Sequence, residues 1–421
     1  MGKIYRILSV VFFASFGALQ AYESIDEALE NGISNGDVVI YGSSTNVRGA
    51  EVQGSDLTNS GYGVGSIGLA YRSGFYKSWR FMISFRASAD FYQADKNSVW
   101  SDDINSIGRT SSAIKGDSAR DFYAPTMLGQ SYLEYFDGDT SVRVGRIFAK
   151  SEWADRLIDG AWLRNKSLSN TLIEVFWAKS SGYVQYNKMS GLVNVNPHNN
   201  FGLLNASIKY TFNDILSIKG YGIFTPSVFN AVGAKVAFRY EVSNSYIGAN
   251  AHFTTSFEGA NSPYYNRALG ANGFVFDTRA YIGVKDFIDT MRNGLELSGG
   301  FIMSGANGIG SLNAVGNNVS PFFMWGGRAF LLGSDASLGF GKINFSIDRI
   351  SLALVYGSTR FSTPYGFAQG GFDRVNEVNL LLEFGLSEHT SFLFNLLNTH
   401  AGKKLYYPHT TALNFGLKLA F

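Results

Sequence analysis

Cysteine is absent from the 421 residues, which removes disulfide frameworks, cysteine-ligated metals and thiol catalysis together. Charge of one sign is also lacking. Lys3 and Arg6 account for two of the 35 basic residues, so the chain beyond them carries 33 of each sign, and nothing in that balance points to nucleic acid. Five histidines, His198, His252, His389, His400 and His409, stand singly, with no pair at metal-ligand spacing, and each reads as a polar residue facing water. No nucleophile, base and orienting group can be assembled from the sequence, so nothing supports an enzyme. The glycines of Gly63-Val64-Gly65-Ser66-Ile67-Gly68 match a dinucleotide fingerprint only as a string. They lie in an extended stretch ending Leu69-Ala70-Tyr71, with no helix to receive a phosphate, and read as small residues of a strand. Proline is scarce, at 7 residues, and beyond residue 37 no long helical period appears.

What the chain has is alternation. Leu413, Phe415, Leu417, Leu419 and Phe421 face one way while Asn414, Gly416, Lys418 and Ala420 face the other, a strand with one oily and one wet face that ends on an aromatic. Such a strand at the edge of an open sheet invites aggregation, whereas in a closed barrel it pairs with the first strand and leaves no edge. The terminal Phe421 also resembles the assembly signal of bacterial outer-membrane barrels. At the other end, basic Lys3 and Arg6, an apolar run over 7–16 and small residues to Ala21 read as a cleaved signal peptide over 1–21, too short for a membrane-spanning helix. Residues 22–35 are expected to form a short helical segment, with Ser24 and Glu27 at capping-box spacing and Gly32 as its stop.

From 36 to 421 the dyad pattern recurs. In Trp79 to Phe91, apolar residues alternate with Arg80, Met82, Ser84, Arg86, Ser88 and Asp90. The same rule puts Lys209, Lys219, Lys235, Arg239, Arg279 and Lys285 on inward faces, against acids such as Glu241, Asp277, Glu296, Glu377 and Glu383. Short gaps at Asp137 to Thr140, Asn213-Asp214 and Ser243 to Ser245 separate strands, and long polar stretches lie at 93–125, 188–200, 257–273, 305–320 and 358–373. Alternation alone also suits a sandwich, a β-helix or a propeller. The leader, the terminal aromatic and the uneven connections together favour an all-β, antiparallel transmembrane barrel. Aromatics are numerous (23 Tyr, 35 Phe) while mean hydropathy is near zero, the average that lipid-facing and lumen-facing residues produce together. At about 22 residues per strand with its connection, the chain gives roughly 16 to 18 strands, 18 preferred, with short turns at one end, long loops at the other and no internal sequence repeat.

The most charged connection follows the strand Ser141 to Phe148. Lys150, Glu152, Asp155, Arg156, Asp159 and Arg164, mixed with aromatics, are expected to form a third loop that folds inward and narrows the lumen. Here Val144-Gly145-Arg146, then Trp153-Ala154-Asp155, Ile158-Asp159-Gly160 and a strand Leu172 to Trp177 resemble the third-loop region of the major outer-membrane porins of Campylobacter and relatives, within the wider Opr-type group. Glu23-Ser24-Ile25-Asp26-Glu27-Ala28-Leu29 resembles their mature start. The resemblance implies an 18-stranded trimeric barrel with a charged constriction, in which acidic residues of that region can hold calcium; Asp155 and Asp159 are the matching positions. It also implies partnership with outer-membrane lipid and the barrel assembly machinery. The expected function is passive diffusion of ions and small hydrophilic solutes, with a basic wall of Arg80, Arg86, Lys209, Lys219, Lys235, Arg239 and Arg279 facing the charged loop. A channel selective for amino acids or small carboxylates, or an adhesin or structural barrel, are the alternatives.

Overall fold

The computed structural model of the chain describes residues 21–48, 51–52, 55–56, 60–93, 126–186, 188–262, 272–288, 291–306, 308, 310–316, 318–322, 335–362, 373–401 and 409–421. Residues 1–20 of the leader expected over 1–21 and most of the polar stretches 93–125 and 358–373 lie outside them.

Eighteen antiparallel strands close into a barrel. In chain order they are β1 Ile33–Arg48, β2 Ser60–Arg72, β3 Trp79–Gln93, β4 Thr126–Phe136, β5 Thr140–Lys150, β6 Asp155–Asn165, β7 Thr171–Gln185, β8 Leu203–Phe212 and β9 Leu216–Thr225. They continue with β10 Phe229–Val242, β11 Ser245–Glu258, β12 Gly273–Lys285, β13 Asn293–Ser304, β14 Ser337–Ile347, β15 Ile350–Phe361, β16 Asp373–Gly385, β17 Thr390–Ala401 and β18 His409–Ala420. Each strand pairs with its sequence neighbour, and β18 returns to β1 in register from Asp37↔Ala420 to Arg48↔His409. Phe421 extends that seam, its N–H donating to the Gly36 carbonyl at 3.0 Å and its carbonyl accepting from the Gly36 N–H at 2.8 Å. The Phe421 ring lies over Gly36, where a Cβ would come within 2.7 Å of it, so the closing contact requires glycine.

The outer surface follows from the period of two. Trp79, Phe81, Ile83 and Phe85 on β3 and Leu413, Phe415, Leu417 and Leu419 on β18 are exposed on the outside, as are Ile208 and Tyr210 on β8 and Val232 and Val236 on β10. The intervening Met82 and Arg86, Ser207, Ala231 and Asn414 are buried on the inner face. An apolar exterior around a polar, charged interior inverts the ordinary soluble arrangement and is what a barrel in lipid presents.

The two ends differ. At the turn end the connections are short: Asp137 accepts from the Thr140 and Asp139 N–H groups at 2.7 and 3.1 Å, which hold its carboxyl below the usual range, and Asn213 and Asp214 take φ of +46° and +57°, which Asn and Asp tolerate. The single-turn helix α1, Ile25–Glu30, sits there, capped by the Ser24 hydroxyl accepting from the Glu27 N–H at 3.1 Å and tied to the barrel by the Gly74 N–H on the Ala28 carbonyl. The loop end carries the long connections.

If the faces are assigned correctly, Leu417→Lys should lose folded barrel, since a midplane Lys on the lipid face costs about 2 to 4 kcal/mol. Lys418→Leu on the inner face should be milder, and Gly36→Val should act at the seam. Heat-modifiable electrophoretic mobility after assembly measures this; equal loss for Leu417→Lys and Lys418→Leu would reverse the faces.

Candidate functional site in the barrel lumen

Among the described residues, three segments from the loop end fold into the lumen. The first is the connection between β5 and β6, only Ser151 to Ala154, tightened by the Ser151 hydroxyl accepting from the Trp153 and Ala154 N–H groups at 3.3 and 3.0 Å. Trp153 at its tip is 1% exposed and donates its indole N–H to the Tyr221 hydroxyl on β9 at 2.9 Å. That hydroxyl also lies 2.6 Å from Nε2 of His252 on β11, itself 3% exposed. The second segment is a strand, Lys188–Asn194, that pairs back on the end of β7 and, with Tyr186, Met189 and Leu192, packs against Val39, Tyr41, Tyr62 and Val64 of β1 and β2. The Tyr41 and Tyr186 rings are 5.6 Å apart, and burial pushes the Tyr186 hydroxyl up to about 12, so it stays protonated.

The third segment follows β13 and carries the short helix α2, Leu312–Val315. The Asn318 amide donates to the Ser151 carbonyl at 2.7 Å, and its backbone N–H reaches the Trp153 carbonyl at 3.3 Å, so this segment rests on the first. The Glu258 carboxylate holds its base, accepting from Ser256 Oγ at 2.7 Å, Ser262 Oγ at 2.5 Å, the Ser311 N–H at 3.0 Å and the Ser311 hydroxyl. Gly310, at φ +58°, leaves no room for a side chain there: a Cβ would stand 2.3 Å from Glu258 Oε1. Arg279 on β12 donates to the Val319 carbonyl while bound to Asp277 at 2.9 Å.

Charge on the inner wall is organised by register. Lys209 pairs with Lys219, Lys219 with Lys235, Lys235 with His252, and His252 with Asp277, so one row crosses β8 to β12. Cα atoms in such a row stand about 4.5 to 5.5 Å apart, close enough for three ammonium groups to repel one another strongly. Acids from the first inward segment and from β7 relieve it: Glu152 lies 3.1 Å and Glu174 3.7 Å from Lys219 Nζ, and Arg164 holds Glu174 at 2.9 Å. Near the turn end, Arg80 on β3 and Arg143 on β5 share Glu134 on β4 at 2.5 and 2.9 Å, and Arg239 on β10 donates to Glu241 at 2.6 Å with Lys285 at 3.5 Å.

The expected constriction residues divide. Glu152, Arg156 and Arg164 face inward, Arg156 over the Tyr183 ring at 5.3 Å. Lys150, Asp155 and Asp159 take the opposite parity, that of exposed Val144 and Leu163 but also of Leu157, whose burial shows that this face of the β5–β6 hairpin is covered near its tip. Asp159 is bound to Arg146 at 2.7 Å and accepts from Ser180 at 2.9 Å, while Asp155 pairs in register with Lys150. Two carboxylates four residues apart on a strand are about 13 Å apart, too far to share one calcium. The expected third loop spanning Lys150 to Arg164 is likewise corrected: only residues 151–154 connect the strands, because β6 already begins at Asp155. Among the wall cations, Arg80, Lys209, Lys219, Lys235, Arg239 and Arg279 face the lumen. Arg86 does too but is buried in a two-pronged bond to Asp37 at 2.7 and 2.8 Å and is not a free wall charge. His252 corrects the solvent-facing reading of the histidines, and His400 and His409, on adjacent strands, stack at 4.1 Å. The side chain of Asp90 lies outside the described residues.

No family model and no curated protein matches the chain. Among solved structures, Acinetobacter baumannii OccAB1 superposes with a TM-score of 0.68 at 12% identity, covering 96% of this chain and 99% of that one. Pseudomonas aeruginosa OpdO gives 0.69 at 11% identity over 94% and 98%, and P. aeruginosa OpdK, solved with vanillate, 0.63 at 12% over 93% and 99%. The fold is that of the Occ and Opd porins. Coverage near the full length of both chains extends the likeness to the whole barrel, and the likeness at such identity is one of fold. It carries the porin half of the resemblance read from the sequence; the Campylobacter half rests on the two sequence blocks alone.

Tyr221→Phe should free the first inward segment, because the Trp153 N–H is then buried without its acceptor, a loss of about 1 to 3 kcal/mol. Amide hydrogen exchange over 151–154 should accelerate by about fivefold or more while β9 stays protected. Unchanged exchange would show that the segment is held by packing alone.

Proposed function

We propose that the chain is a porin of a bacterial outer membrane, a passive channel for ions and small hydrophilic solutes and not an enzyme. The closed barrel with an apolar outside and a charged inside carries this reading, since only a membrane-embedded barrel gains from that inversion. In this setting the turn end and α1 are periplasmic and the loop end faces outward. The chain is exported through a leader over 1–21, with 22–35 as a periplasmic segment and 36–421 as the barrel, and is recognised by the assembly machinery through Phe421. Association into trimers, as in the Campylobacter-type porins, belongs to the same proposal.

The lysine row supports a narrower version. Among the described residues, Lys209, Lys219, Lys235 and Arg279 face Glu152, Glu174 and Asp277, which leaves an excess of positive charge on one wall, beside segments that occupy the lumen. That arrangement favours small anions, carboxylates included, and vanillate, the carboxylate named with OpdK, is a reasonable first solute.

Liposome swelling tests both readings. Reconstituted protein should admit small sugars and small carboxylates, with carboxylates faster than neutral solutes of equal size; equal rates would favour the general porin, and no swelling would contradict a channel. Lys209→Gln with Lys235→Gln should shift the zero-current potential in a salt gradient toward cations, more at low ionic strength than at high, because salt screens the row. The same shift at both salt concentrations would remove the lysine row from the solute path.

A further inference from the structure

The loop-end rim of the barrel is not uniform on its outer face. On β3, β9 and β11 the outward positions nearest the loops are Phe91, Phe224 and Phe257, all exposed. On β15, β16, β17, β18 and β1, five neighbours around the seam, the corresponding positions are Arg360, Arg374, His400, His409 and Arg48. Each has the parity of its strand's exposed apolar residues: Tyr356 below Arg360, Phe384 on the column of Arg374, Phe392 on that of His400, Leu413 below His409 and Ile40 on that of Arg48. Register ties the set together, Arg360 opposite Arg374 and Arg48 opposite His409, while the His400 and His409 rings stack at 4.1 Å and 25°. Among the described side chains, no acidic residue occupies an outward position on any of these five strands.

We infer that this arc of the rim is a docking surface for the phosphorylated headgroups of outer-leaflet lipid. The inference rests on the membrane reading above, which sets the loop end of the apolar band at the level of the headgroups. Aromatic rims suit that level by burying their rings in the interface; a cationic rim needs anions at the same height, and phosphate is the anion a lipid surface presents. Arginine suits the role because its planar fork can hold a phosphate with two donors and still keep a protein contact, as Arg48 does in giving Nε to Asn46 at 3.1 Å. The apolar columns beneath would receive the acyl chains of the lipid whose head is held.

The test uses the full-length protein in detergent, with native mass spectrometry reading bound lipid. The probes are diphosphorylated lipid A, lipid A stripped of both phosphates, and inorganic phosphate alone. Diphosphorylated lipid A should bind at least tenfold more tightly than the stripped form, and Arg48→Gln, Arg360→Gln and Arg374→Gln combined should lower its affinity by about tenfold or more. The matched control, Arg292→Gln with Arg349→Gln at exposed turn-end positions, should bind as the wild type does. Replacing the three rim arginines by Lys should restore most of the binding, which separates charge from any folding defect. Unchanged binding in the rim Gln variant, equal loss in the control, or inorganic phosphate binding as tightly as the lipid would each overturn the inference. Insertion into neutral-lipid nanodiscs, scored separately, distinguishes failure of the rim from failure of the membrane reading.

Discussion

Every backbone N–H and C=O in a hydrocarbon layer must find a partner within the protein, and the seam between β1 and β18 is where this chain meets that demand. Without it two edges would stand open, each offering a row of unmet donors and acceptors at several kcal/mol per group. Closure sets the rest. It requires an even number of antiparallel strands, puts α1 outside the wall, and leaves the period of two to sort apolar side chains outward and charged ones inward. The fit of Phe421 over Gly36 finishes the seam with the smallest residue available.

Once closed, an 18-stranded barrel is wide enough to hold more than its own side chains. Three segments use that space, and each solves the same problem of satisfying irregular backbone away from bulk water. The carbonyls of Ser151 and Trp153 receive Asn318, the N–H of Ser311 meets Glu258, and Val319 meets Arg279. The first and third inward segments therefore hold one another as well as the wall, which makes the lumen a built structure with fixed charges. Because Glu152 enters on the tip that carries Trp153, the placement of an acid against Lys219 depends on an aromatic anchor.

The fold was legible because its signal is local. Alternation within Trp79 to Phe91 or Leu413 to Phe421 needs no knowledge of any partner strand, and it put Arg80, Lys209, Lys219, Lys235, Arg239 and Arg279 on the inner face. The site was legible only in part, because its content is set by register. Arg86 has the inward parity of a wall cation, yet its partner Asp37 is 49 residues away and becomes a neighbour only when β1, β2 and β3 align. Asp155 and Asp159 are acidic residues near a resemblance to a constriction, but β6 begins at Asp155, and the parity of that strand puts both on the face opposite Arg156 and Arg164. His252 reads as a solvated residue until Tyr221 and Trp153 close over it, and His400 meets His409 only through the pairing of β17 with β18. No pattern within a single strand announces any of these pairs.

The central claim is a closed barrel around a water-filled path, and single-channel recording of the wild-type protein in a planar bilayer tests it most directly. The expected result is discrete insertion steps with a linear current–voltage relation, at a conductance that grows with salt concentration. Verified folded barrel that inserts and yet carries no current would contradict the account, and would turn the same architecture toward an adhesin or a structural barrel.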